Sequence, residues 1–341
     1  MSAISSTLRQ ITRTKTLPEP IWRELATKHV ESMLELLYPA HASSSSLKNR
    51  VHLISKSPVY NFLHVYYRYS VMDLLAYSPG VNIRLEGCRE SDIKREAVSF
   101  DSVFRGEMPI LSSKYLNTDE SCSFYGISSE NIKSVKAFDI SAMIHSKQVL
   151  EKTISKPPFY ACFGLHEWAM LYSGGKGAAP LLRHQSGLDL RVKQETIDAV
   201  VEGGVRCTHF DAFRFFHPQA KLMNIVNPIS KSMQPDMEQP GCVHANMDLF
   251  KHAYTAYPLI DADLLRDCLR IAIAARKIDM RASPYSVSHI AGCEDAICVE
   301  TVEGRKVYAT EQEALANIAM PVRQRLLEAY NLALHDLPSI L

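Results

Sequence analysis

A mainly α fold, one compact multi-helix globular domain with a small β-hairpin element, follows from three observations in the sequence. Apolar residues recur at helical spacing over several long segments. Prolines and glycines punctuate those segments at their ends. One short stretch near the C-terminus alternates around a glycine. Pro18 and Pro20 precede an amphipathic stretch from Ile21 to Tyr38, which Pro39 stops, and the serine tract Ala42–Ser46 then reads as an exposed loop. A second helix is expected from Val59 to Tyr77, rich in tyrosine and phenylalanine, entered through Pro58 and closed by Pro79-Gly80. Residues 81–135 read as irregular, with turns at Gly87, Gly106, Pro109 and Gly126, before a helix over Phe138 to Lys152. Pro157-Pro158 opens an apolar helical segment from Phe159 to Tyr172, followed by Gly174-Gly175 and a basic loop. Residues 218–241 hold four prolines and read as a long irregular loop. The plainest helix follows, with Leu264, Cys268, Ile271, Ala275 and Ile278 on one continuous face. Ala296–Thr310 reads as a β-hairpin around Glu303-Gly304, and a last helix runs from Glu311 to His335 with a kink at Pro321.

The chain has 341 residues, with 38 Lys+Arg against 37 Asp+Glu, and 46% of it is hydrophobic. Such a chain buries roughly three quarters of the surface its unfolded form exposes, so it folds without disulfide or metal staples. A net charge of +1 argues against a whole-protein binder of duplex DNA. No apolar run is long enough to span a bilayer. Eight cysteines without CxxC spacing read as free thiols in a reducing, intracellular compartment. Residues 1–18 carry Arg9, Arg13 and Lys15 and no acid, which is read as an organelle-targeting segment or a flexible polar terminus. Residues 19–341 are then read as a single mainly helical catalytic domain.

The chemistry-bearing residues cluster in the second half. His166 and Glu167 interrupt an apolar segment that also holds Trp168. Burying both polar groups costs free energy unless partners satisfy them. In the run Thr208 to His217, an extended chain points His209 and Asp211 to one face, as a metal-binding His-x-Asp pair requires. A helical chain instead makes Thr208 the N-cap and sets Asp211 three residues before Arg214, within reach of an ion pair. After Pro240-Gly241, a helix places His244, Asp248 and His252 in one row. Two consecutive members of that row can share a metal, with His252 outside. Arg281 suits the negative end of the preceding helix, or the bidentate grip of an anionic substrate. No GxGxxG after a strand, GxxxxGK[ST], GxSxG or HExxH occurs, which disfavours nucleotide cradles of those two kinds, α/β-hydrolases and classical zinc proteases.

The segments Tyr60–Leu63, Leu165–Met170, Thr208–Phe216, Gln239–Leu249 and Asp279–Tyr285 together resemble a group of bacterial proteins that carry the label 3-methyladenine DNA glycosylase. The resemblance runs from about residue 50 to 330 and implies a shared fold and site.

Two enzymatic readings follow. The first is a hydrolase that cleaves the N-glycosidic bond of a nucleobase-like or small heterocyclic substrate, nucleoside-sized because the chain is near neutral. Asp211 or Asp248 serves as the carboxylate, His209 or His244 as the proton donor, and Glu167 stands by as a further acid–base group. His166, Trp168, Phe213, Arg214 and Arg281 contact the substrate, the aromatics by stacking on the base. The alternative is a non-haem metal-dependent oxidase, oxygenase or hydrolase with His209, His244 and Asp248 as ligands of iron, manganese or zinc. A non-catalytic small-molecule binding protein is the third reading.

Overall fold

The computed structural model of the chain describes residues 16–39, 57–89, 92, 111, 124–125, 138–174, 187–226 and 230–335. Expectations for residues 1–15, the serine tract 42–46, Gly106, Pro109, Gly126 and the basic loop from Gly175 fall outside these. β1 (Thr16–Leu17) leads into α1 (Glu19–Leu37) through Pro18, and a second proline sits in the first turn, where a missing N–H breaks no helical bond. Trp22, Ala26, His29, Met33 and Leu37 form its buried face at steps of three and four.

The expected helix over 59–77 is broken into α2 (Tyr60–Tyr67) and α3 (Val71–Leu75). Arg68 takes a left-handed conformation between them, with φ 52°. The Ser70 side chain then accepts the Asp73 amide and caps α3. A run of aromatics loses side-chain freedom in a helix, and serine competes for backbone amides, so the break falls where both effects meet. β2 (Arg84–Glu86) pairs in parallel with β1 and antiparallel with β3 (Phe124–Tyr125). The Trp22 indole donates to the Glu86 carbonyl at 2.7 Å and ties α1 to this small sheet.

α4 (Ile140–Ile154) starts where Asp139 accepts the Ala142 amide at 2.9 Å. The apolar segment 159–172 is helical only over α5 (His166–Met170). Phe163 and Gly164 are both left-handed, with φ 49° and 64°, which a right-handed helix excludes. α6 (Gln194–Glu202) and α7 (Phe210–Phe213) follow. Residues 218–241, expected to be irregular, hold α8 (Pro218–Lys221), a 3₁₀ turn at Lys231–Met233 and α9 (Gln234–Met237). Prolines read as helix breakers there sit in the first turns of α8 and α9, where their fixed φ favours the helix.

α10 (Val243–Ala256) and α11 (Ala262–Ala282) come next, and Asp261 caps α11 by accepting the Leu264 amide at 2.8 Å. The apolar stripe of α11 is buried as its spacing requires. The hairpin expected over 296–310 is not formed, because α12 (Val302–Ala333) already begins inside it. Thr301 caps α12 by accepting the Gly304 amide at 3.0 Å. Gly304 is demanded by packing and not by a turn, since a Cβ there would collide with the Cys298 carbonyl. α12 continues through Pro321.

α10 packs along α11, and α12 and α4 close over it from other sides. A helix enclosed in this way carries polar residues inward with apolar ones. Asn246, Asp248 and His252 are 0%, 1% and 3% exposed. Each such group costs about 2–7 kcal/mol to bury unless a partner satisfies it. Among the described residues, no helix is long and apolar enough to cross a membrane.

Candidate metal centre

Five segments of the chain deliver polar side chains to this interior. α5 brings His166 and Glu167, the residue before α7 is His209, the end of α9 leads to Glu238, and α10 and α11 add the rest. On α10, His244 and Asp248 stand one turn apart in a single row. On α11, Arg276 and Asp279 stand three residues apart, on the side facing α5.

The side chains fall into two adjoining groups. In the first, the ligand atoms of His166, His244 and Asp279 lie within 4.8 Å of one another. His166 Nε2 is 3.0 Å from Asp279 Oδ1, and the His166 and His244 rings meet edge to face with centroids 4.2 Å apart. Although His166 Nε2 and Asp279 Oδ1 are so close, both are buried and neither makes a hydrogen bond. Arg276 lies behind them, donating from Nη1 to Glu167 Oε1 at 3.0 Å and also to Asp279 Oδ2, with its guanidinium carbon 3.8 Å above the Phe62 ring. Burial alone would raise the Asp279 carboxyl, but His166 and Arg276 hold it below its ordinary value. His244 is driven well below the usual histidine range, first by burial and then by the neighbouring His166. Its ring therefore stays neutral, with a lone pair to offer.

In the second group, the ligand atoms of His209, Glu238 and Asp248 lie within 4.8 Å of one another. His209 Nδ1 is 3.3 Å from Glu238 Oε1 and Nε2 is 3.7 Å from Asp248 Oδ2. Tyr67 donates to Asp248 Oδ1 at 2.7 Å, and Lys251 donates to Asp211 Oδ2 at 2.9 Å and to Asp248 Oδ2 at 3.3 Å. Burial would raise the Asp248 carboxyl, and the Lys251 charge reverses this, holding it low. The His209 and His244 rings stack at 5.1 Å, so the two groups adjoin through His244.

The spacing of these atoms tests whether they suit a metal. Two ligands about 2.1 Å from one ion, at tetrahedral or octahedral angles, lie about 3.0–3.4 Å apart. The His166–Asp279 separation of 3.0 Å falls in that range, and the pair lacks the alignment of a hydrogen bond. Three of the chain's charges meet behind the first group, with Glu167 and Asp279 negative and Arg276 positive. That leaves one negative charge for a cation to balance. The donor set of two imidazoles and one carboxylate suits iron, manganese or zinc.

A small cavity opens beside His166 and His244, lined also by Cys162, Cys207, Cys242 and Tyr308. It offers about 20 Å³ to water centres, enough for a water molecule or two. Burial pushes the Cys207 thiol up to about 12 and the Cys242 thiol well above its ordinary value, so both stay protonated at neutral pH. Each cysteine in the described residues is free.

The structure thus gathers His166, His209, His244 and Asp248 but divides the expected ligand trio. His244 joins His166 and Asp279, whereas His209 and Asp248 join Glu238. Glu167 is engaged by Arg276, and Asp211 by Lys251 and Arg214. Trp168 is fully buried and donates its indole N–H to the Ala282 carbonyl at 2.9 Å. Phe213 packs on Phe216, and Arg214 lies over Phe215. Arg281 is held by Glu311 at 2.6 Å and by the Asp295 carbonyl at 2.7 Å. Sequence reasoning missed the roles of Glu238, Arg276 and Asp279. For the last two a signal existed, since Arg276 and Asp279 stand three residues apart at helical spacing on the buried side of the helix, among Ala272, Ala275 and Ile278, and not on its charged side.

The site therefore defines a mainly helical protein with a buried histidine–carboxylate interior. Compared with known proteins, the chain matches no family model, no curated protein and no solved structure.

Proposed function

We propose that the protein is a metal-dependent hydrolase whose ion is held by His166, His244 and Asp279. One observation carries the reading. His166 Nε2 and Asp279 Oδ1 sit 3.0 Å apart, buried and without hydrogen bonds, at the separation of two ligands on a common ion. Bound there, a divalent ion supplies an acidified water near neutral pH. His244 presents a neutral ring, Asp279 an ionised carboxylate, and Arg276 fixes that carboxylate from behind. The cavity beside the two histidines has the size of the attacking water. The resemblance of residues 165–170, 208–216 and 239–249 to bacterial proteins labelled 3-methyladenine DNA glycosylase supports a nucleobase-like leaving group, and near-neutral charge supports a nucleoside-sized substrate.

A second reading, a non-haem iron oxygenase, is favoured by the two-histidine, one-carboxylate donor set itself. Elemental analysis of the purified full-length protein, followed by assay of base release from nucleosides with and without chelator, tests the proposal. Bound metal is expected, with one equivalent lost on Asp279→Asn or His244→Gln while circular dichroism is retained. A protein free of transition metal after growth in metal-supplemented medium, or an Asp279→Asn variant that keeps its full complement, overturns it. Iron with substrate-dependent oxygen uptake selects the second reading.

A further inference from the structure

We propose that His209, Glu238 and Asp248 hold a second divalent cation beside the first. This rests on the metal-dependent reading and enlarges it to a two-ion centre. The observation is independent of the first group. His209 is 1% exposed, yet neither ring nitrogen makes a hydrogen bond, although Nδ1 lies 3.3 Å from Glu238 Oε1 and Nε2 lies 3.7 Å from Asp248 Oδ2. An imidazole ordinarily satisfies at least one nitrogen when it leaves water, because an orphaned buried donor or acceptor costs about 1–3 kcal/mol. The two ring nitrogens point to opposite sides, so one of them can serve an ion. One His209 nitrogen lies within 4.8 Å of one oxygen each from Glu238 and Asp248, as three atoms around a common ligand would.

The charges agree. Glu238, Asp248 and Asp211 bring three negative charges, and Lys251 and Arg214 offset two of them. The remainder calls for one further positive charge, met by a metal ion or by a proton on His209. One nitrogen and two carboxylate oxygens form a harder donor set than the two nitrogens and one oxygen of the first group, and it suits manganese or ferrous iron. Both carboxylates are held by neighbouring donors, with Tyr67 donating to Asp248 Oδ1, the oxygen other than the one facing His209, and Gln234 donating to Glu238 Oε1, the same oxygen that faces His209. Such outer partners orient metal ligands. α10 joins the two groups, since it carries His244 to one and Asp248 to the other a helical turn away.

The test strips the full-length protein with chelator, reloads it with manganese(II) and counts bound metal by equilibrium dialysis with elemental analysis. Two equivalents are expected in the wild-type chain, falling to one in Glu238→Gln and to one in Asp279→Asn. A wild-type chain that binds one equivalent, kept by Glu238→Gln and lost by Asp279→Asn, overturns the second ion and leaves the first standing. His209 then carries a proton instead. No bound manganese, zinc or iron in the wild type overturns both, and two equivalents retained by Glu238→Gln overturn the second site. The wild-type count needs no variant, so it decides even if Glu238→Gln fails to fold.

Discussion

Arg276 is the residue whose replacement tests the buried charge arrangement most directly. Its guanidinium is fully buried, shared by Glu167 and Asp279, and lies over Phe62. Arg276→Met keeps much of the volume and the contact with the ring but removes the only described cation that touches both carboxylates. Breaking a buried ion pair by deleting one partner costs about 3–5 kcal/mol, because the surviving charge is left unpaired. For a chain this long, about 2 °C of melting temperature corresponds to each kcal/mol, so the metal-free variant should melt about 6–10 °C below wild type. A divalent ion at His166, His244 and Asp279 restores part of the lost positive charge. Saturating zinc or manganese should therefore raise the melting temperature of Arg276→Met more than that of wild type. Thermal unfolding followed by circular dichroism, in chelator and in excess metal, reads both quantities. A metal-free variant within 1 °C of wild type would refute the claim that the arginine neutralises this interior.

Two structural predictions complement those for Asp279 and Glu238. His29 is buried, with Nε2 donating to the Leu74 carbonyl at 2.8 Å, and burial lowers it to about 4. The unfolded chain takes up this proton below about 6.5 and the native one only below about 4. Stability is therefore full above 6.5 and falls as pH drops through that window, by about 2–3 kcal/mol at pH 4.5. Urea unfolding of His29→Leu should show a correspondingly shallower acid loss, and equal slopes in the two proteins would count against this account. Gly304→Ala forces a methyl group into the Cys298 carbonyl, so α12 must shift at its first turn. A loss of about 1–3 kcal/mol is expected in chemical denaturation, and no measurable loss would show the contact to be soft.

Local pattern carried the long helices. The stripe of α11 from Leu264 to Ile278 is buried as its spacing predicts, and the sequence also placed α4 between its cap and Lys152 to within a few residues. It failed where a residue type has two uses. Gly304 signals a hairpin turn by composition but fills a close helix contact in space. Pro218 and Pro235 signal breakage but open short helices. At the site, His166, His209, His244 and Asp248 were legible because polar residues among apolar ones are conspicuous. Their grouping was not legible, because it is set by the packing of α5, α10 and α11. The Arg276–Glu167 contact joins positions 109 residues apart, and no local spacing encodes it.

The protonated thiols around the small cavity have a practical consequence. With Cys207 near 12, only about one molecule in 10⁵ exposes a thiolate there at pH 7. Among the described cysteines, alkylating reagents should pass over that chamber and attach to Cys298, which faces solvent next to Arg191. A fluorophore or spin label can thus be anchored on native protein without mutating the interior, giving an outside reporter that leaves the histidines untouched.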